Sequence, residues 1–292
     1  MTTQQKQAIA WKLENYVKSF NSQKQAANSL KDCSEATLIA VLKNNWSTVS
    51  EAMWLNLFNQ MESSHNKTAL VETANLMTLV LYFSIAKEEG ATFAITGGAG
   101  YGKSAAGKGY ANANRGKNAY YLECAGYWNK KMFLSNLLQA MGKVFTGMNI
   151  GEMMETIVGE LRRKDKPVII LDEIDKLSDP VLNFFITLYN ELNGVCGFVW
   201  TSTDNIEKRM RKGVNQNKNG YQELYSRIGQ KFIVLPRASN EDIAAICLAN
   251  GITDQEEVAR ITNESMGDLR RVERNMLKKK AIQMRGKNKK AA

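Results

Sequence analysis

Apolar positions recur at helical spacing from the first residues onward. Between residues 4 and 20 they fall at Ile9, Leu13, Tyr16, Val17 and Phe20, one stripe of an amphipathic helix. Ser22 offers an N-cap for a second, short helix containing Ala26, Ala27 and Leu30. Ser34 caps a third, SEATLIAVLKNN, with Leu38, Val41 and Leu42 facing inward, and Ser50 starts a fourth with Met53, Trp54, Leu57 and Phe58. The polar run ESSHNKT, 62–68, breaks the periodicity and predicts a linker. A helix over 69–88 follows and Gly90 ends it.

The period then shortens. Apolar runs at 91–96, 118–124, 167–172, 197–203 and 231–236 alternate with helical segments, which predicts a five-stranded parallel sheet with crossover helices. Beyond Pro236 only helical patterns remain, at 239–250, 254–264 and 267–284. The expected organisation is an all-α domain at 1–61, a linker at 62–68, an α/β core at 69–236, a helical appendage at 237–284 and a basic tail at 285–292. No internal repeat is visible.

A chain of 292 residues, 44% of them hydrophobic, has material for two ordinary cores. The N-terminal MTTQQKQ lacks the layout of a signal peptide, and the apolar run LMTLVLYFSIA at 76–86 is too short to span a bilayer. A cytoplasmic protein with no membrane partner is therefore expected. Cys33, Cys124, Cys196 and Cys247 form no Cys-x-x-Cys pair, which argues against zinc and against a disulfide framework. The lone His65 excludes a histidine triad, so catalysis must rest on Lys, Asp, Glu, Arg and backbone groups.

Charge adds a further pointer. Of the formal +10, the segment from Arg271 onward contributes +8, with nine Lys/Arg against Glu273 alone. Such a segment reads either as a solvated end or as a surface for a polyanion, nucleic acid before membrane.

The chemistry centres on Gly97-Gly98-Ala99-Gly100-Tyr101-Gly102-Lys103-Ser104, which fits G-x-x-x-x-G-K-[ST] directly after a predicted strand and before a helix. Glycines let backbone N–H groups converge on phosphate oxygens, and the helix N-terminus adds its dipole. Lys103 then reaches the β- and γ-phosphates of ATP and Ser104 binds Mg²⁺. About seventy residues on, VIILDEID ends an apolar strand in Asp172-Glu173. Asp172 is placed to hold the hydrated Mg²⁺, and Glu173 to orient the attacking water. The pair suits hydrolysis, and no acceptor pocket of a small-molecule kinase is visible.

These residues resemble the AAA+ ATPases. The resemblance implies a polar first sensor in VWTSTDN, 199–205, at Thr203, with Thr201 and Asp204 as alternatives in register. In ELYSRIGQKFIVLP, 223–236, it implies that Arg227 reaches a neighbouring subunit's ATP, or else is a surface arginine. In GDLRR, 267–271, it implies a second sensor at Arg270 in a helical lid. Arginines matter because phosphoryl transfer spreads charge over equatorial oxygens, and an arginine from a neighbour ties turnover to assembly.

The N-terminal stretch SQKQAANSLKDCSEATLIAVLKNNW resembles a helix-turn-helix, with Ser34, Glu35, Thr37 and Lys43 as candidate groove-facing residues. Its turn lacks glycine and is one residue longer than usual, so a helical protein-interaction domain is the competing reading. Head, linker and core together resemble the family of target-selecting ATPases of transposable phages, the phage Mu transposition protein B family. That resemblance implies a homo-oligomer, helical filament or ring, on duplex DNA of arbitrary sequence, recruiting a transposase and released by hydrolysis. It implies phosphate contacts for which Lys130, Lys131, Lys208, Arg209, Arg211 and Lys212 are candidates, each of which also reads as a solvated helix face. The alternative is a helicase-loader or clamp-loader-like ATPase acting on a replication protein.

Overall fold

The computed structural model describes every residue except 19, 21, 63–69, 115, 291 and 292, and for 61, 62 and 280–290 it describes the backbone alone. The predicted linker thus lies almost wholly outside the described residues.

The head comprises α1 (Thr3–Lys18), α2 (Gln23–Ser29), α3 (Glu35–Leu42) and α4 (Glu51–Glu62). The expected caps form: Ser22, Ser34 and Ser50 accept the amides of Gln25, Thr37 and Met53 at 3.2, 3.1 and 3.2 Å. Each satisfies a donor that a helix N-terminus leaves open. Between α2 and α3, Asp32 takes a left-handed φ of 53° where no glycine is available. Ile9, Leu13, Leu38, Val41, Trp54 and Leu57 close a core of the head's own. The head meets the rest of the chain through Gln25 and Asn28, whose side-chain amides donate to the carbonyls of Met141 and Gly142, both at 3.3 Å.

Next come α5 (Ala74–Glu89), β1 (Thr92–Thr96), α6 (Lys103–Ala113), β2 (Ala119–Glu123), α7 (Lys130–Ala140), α8 (Ile150–Arg162) and β3 (Val168–Asp172). They are followed by α9 (Asp179–Leu192), β4 (Gly197–Ser202), α10 (Asn205–Asn215), α11 (Tyr221–Arg227) and β5 (Phe232–Val234). Helix α5 begins later than its apolar pattern because Thr73 takes the cap, accepting the Leu76 amide at 3.2 Å.

All strand pairs are parallel, in the order β2-β3-β4-β1-β5. Strand β3 is buried at every position, as a strand covered by helices on both faces must be. One face carries Leu134, Leu137, Ile157, Phe185 and Trp200, the other Leu79, Phe83, Ile95 and Tyr110. Burying each large apolar side chain is worth about 1.5–3 kcal/mol, so this two-sided core holds the strand ends rigidly. The register pairs Asp172 with Thr201 and Glu123 with Asp172, and Thr96 with Ser202. The carboxyl ends of four strands therefore share one edge, where open α/β sheets bind ligands.

Beyond β5, α12 (Asn240–Ala249), α13 (Gln255–Ser265) and α14 (Leu269–Lys290) pack around Ile243, Cys247, Ile261, Val272 and Met276. Helix α14 continues through the expected break at 285, so the basic segment to Lys290 extends a helix that starts in the lid. The four cysteines carry free thiols. Among the described residues no helix is long and apolar enough to cross a membrane.

Candidate functional site

The loop 97–102 leaves β1 at the shared edge and turns into α6. Gly100 and Gly102 take φ of 79° and 89°, open to glycine and costly to other residues. No side chain caps α6, so its first amides remain free for an anion. The Lys103 ammonium folds back to donate to the carbonyls of Gly97 (2.6 Å) and Gly98 (2.9 Å). Burial lowers its pKa, Asp172 opposes that shift, and Arg270 adds to it. A phosphate beside it would offset the cost of that buried charge. The Tyr101 ring lies over Gly98, where an added Cβ would come within 2.8 Å of it.

Asp172 ends β3 at 1% exposure. Its carboxylate accepts from Thr201 Oγ1 at 2.6 Å, Tyr121 Oη at 2.7 Å and the Glu173 amide at 3.0 Å. Thr201 and Tyr121 come from the strands on either side. Tyr121 fits because Gly107 of α6 has no side chain; a Cβ there would meet the ring at 2.8 Å. Burial pushes the Tyr121 hydroxyl far up, with Asp172 adding to the rise, so it is a neutral donor.

Glu173 turns off the strand in a left-handed conformation, φ 55°, and pairs with Lys176. Asp175 accepts the Thr203 hydroxyl at 2.9 Å.

Helices α12–α14 form the other side. The Leu269 amide donates to the Gly100 carbonyl at 2.9 Å, and a Cβ on Gly100 would lie 1.9 Å from Asp268 Oδ1. Asp268 in turn accepts the Arg270 amide at 2.9 Å. Asn75, which sequence reasoning missed, donates to the carbonyls of Pro236 (2.9 Å) and Tyr101 (3.4 Å), tying the loop to the start of the lid.

Together these elements line a cleft of about 750 Å³. Gly100, Tyr101, Gly102, Lys103, Ser104, Asp172, Glu173, Thr203 and Arg270 all face it, with Ala99. Leu70, Val71, Leu76 and Ile246 supply an apolar wall. A polar floor beside an apolar wall of this size suits a nucleotide, phosphates on the loop and base against the wall. Of the three sensor positions, Thr203 lines the cleft, Thr201 is bound to Asp172, and Asp204 pairs with Lys208 at 2.6 Å.

Residues 87–210 match the AAA domain. That span includes the loop at 97–104, Asp172, Glu173 and Thr203, and stops short of Arg227 and of α12–α14. Among solved structures the chain is similar to NtrX from Brucella abortus in complex with ATP, at 15% identity and a TM-score of 0.48, covering 84% of this chain and 59% of that one. It is also similar to the Drosophila ORC bound to DNA, at 14% identity and a TM-score of 0.41, covering 73% and 57%. A third is the S. cerevisiae Hsp104-ADP complex, at 17% identity and a TM-score of 0.46, covering 87% and 53%. The chain spans less than two thirds of the length of each of these. No curated protein matches it.

Other predicted residues lie apart from this cleft. Arg227 ends α11, pairs with Glu223 at 3.0 Å, donates to Asn190 and stands 5.2 Å over the Tyr189 ring. Lys130 opens α7 with its ammonium 5.4 Å over the Phe184 ring, beside exposed Lys131. The expected cluster on α10 is not one basic face. Lys208 and Arg211 pair with Asp204 and Glu207, Arg209 points inward, and Lys212 is exposed. The reason is the helical period: Arg209 falls on the side of α10 that carries buried Ile206, Met210 and Gly213. In the head, the Ser34 and Thr37 hydroxyls bond each other at 2.8 Å, and Glu35 and Lys43 are exposed.

Proposed function

We propose that the chain is an ATPase that assembles on duplex DNA with little sequence preference, selects target DNA and recruits or activates a transposase. The observation that carries the ATPase part is the single cleft in which Lys103, Ser104, Asp172, Glu173, Thr203 and Arg270 converge.

In this reading the free amides of the loop and α6 hold the phosphates, and Lys103 leaves the Gly97 and Gly98 carbonyls to meet them. Glu173 orients a water in line with the γ-phosphate and takes its proton as the new P–O bond forms and ADP leaves. Thr203 and Arg270 hold the γ-phosphate, and Arg227 reaches the cleft of a neighbouring subunit, which makes turnover depend on assembly. The donor set fits Mg²⁺: Ser104 and Asp172 offer hard oxygens. When bound, Mg²⁺ neutralises charge developing on the phosphate oxygens.

The DNA part rests on the sequence resemblance and on charge. Arg271, Arg274 and Lys278 stand exposed along α14, ahead of the basic run that continues the same helix. Phosphate contacts need only such position and charge.

The test is binding of a labelled duplex of arbitrary sequence with ATP, with ADP and without nucleotide, across a salt series, with particle size followed. Cooperative, salt-sensitive binding and growth of long particles in ATP alone are expected, with Glu173→Gln persisting on DNA. Small particles indifferent to DNA would overturn the DNA reading in favour of a loader acting on a protein client.

A further inference from the structure

Arg209, outside the cleft, is bound on every side of its guanidinium. One guanidinium nitrogen donates to the carbonyls of Leu177 at 2.7 Å and Asp175 at 3.2 Å. The second pairs with Asp179 at the start of α9, and Nε donates to the Tyr221 hydroxyl at 2.8 Å. That hydroxyl donates onward to Asp179 at 2.8 Å, so its donor and acceptor capacities are both used. Tyr221 is 2% exposed and lies against α10 at Gly213, where any Cβ would strike the ring at 2.2 Å.

Two ends of this network matter. Asp175 accepts the Thr203 hydroxyl at the cleft and sits in the turn that presents Glu173. Tyr221 is the first residue of α11, and Arg227 is the last. Seven residues of helix span roughly 10 Å, too short to flex between them.

We propose that Arg209 is a positioning residue that joins the water-orienting end of its own cleft to the helix bearing Arg227, so that occupancy of one cleft sets the placement of the arginine offered to the next. This rests on the reading of Arg227 as acting on a neighbouring subunit. The planar guanidinium serves because it addresses carbonyls, a carboxylate and a phenol at fixed angles; an ammonium has one point of charge and no such fork.

The test mixes two inactive full-length forms on duplex DNA with ATP. Arg227→Ala keeps an intact cleft, and Glu173→Gln keeps Arg227; turnover regained in the mixture is the reference. Adding Arg209→Gln to either form is expected to lower the regained kcat about tenfold or more while KM for ATP stays within about twofold. Arg209→Lys is expected to restore only a minor part. Tyr221→Phe keeps the buried ring and removes only the link to α11. It should lower kcat when placed in the arginine-donating form, and leave it within about twofold when placed in the cleft-bearing form.

Arg209→Gln without effect in either form, or Tyr221→Phe acting equally in both, overturns the coupling. Failure of the two parent forms to complement overturns the neighbour-acting Arg227, and the coupling with it. Regained turnover that Arg209→Gln does not touch overturns the coupling alone.

Discussion

Three donors converge on the buried Asp172 carboxylate, from β4, β2 and its own chain. A buried carboxylate stripped of one partner loses a charge-assisted bond worth about 1.5–3 kcal/mol. Thr201→Val should therefore destabilise the protein by about 2 kcal/mol, read as a lower urea midpoint with an unchanged slope. Tyr121→Phe should cost a similar amount, and the double variant should fall short of the sum, since both hydroxyls serve one carboxylate. Asp179 offers a pH test. Burial raises its carboxyl, but hydrogen bonds from Tyr221 and Arg209 outweigh that and hold it below its ordinary value. A depressed carboxyl stabilises above its unfolded pKa, and that contribution is lost as pH falls through the folded one. Urea midpoints measured from about pH 5 down to about pH 2 should drop less steeply in Asp179→Asn than in the parent.

At the scale of elements, the contact that decides the site is between a loop and a helix far apart in sequence. Gly100 accepts the Leu269 amide while Asp268 occupies the space a side chain would need. Gly100→Ala meets both a left-handed φ of 79° and the Asp268 carboxylate, so the loop or α14 must move. Nucleotide affinity should fall by about tenfold or more, measured with a fluorescent ATP analogue, at a stability cost of about 1–3 kcal/mol. Elements themselves were largely legible in the sequence. Strands expected at 118–124 and 167–172 form at Ala119–Glu123 and Val168–Asp172, because a run of buried β-formers between turn residues is a local signal. The caps at Ser22 and Ser34 are local in the same way. Two boundaries differ from the pattern: Thr73 caps α5 after the apolar run begins, and Gly286 does not interrupt α14.

The whole molecule places its cleft where the sheet meets α12–α14, while the head closes around a core of its own. A ligand that binds only the folded cleft stabilises by mass action, about 2.7 kcal/mol at a hundredfold excess over Kd. ATP should therefore raise the melting temperature of the parent and leave that of Lys103→Ala unchanged, followed by calorimetry. The head should melt without a nucleotide-dependent shift, since none of its described residues lines the cleft.

The chain's own order of residues determined the loop at 97–104, the Asp172-Glu173 strand end, the succession of strands and helices and the head's caps. Each depends on a few neighbouring residues and on fixed backbone periods. Tertiary structure alone decided that Tyr121 and Thr201 hold Asp172, that Asn75 ties the loop at 97–102 to Pro236, and that Asp179 and Tyr221 are the partners Arg209 meets on the inner side of α10. Those partners lie on separate elements, and strand register and helix packing bring them within hydrogen-bond distance, which no spacing along the chain encodes.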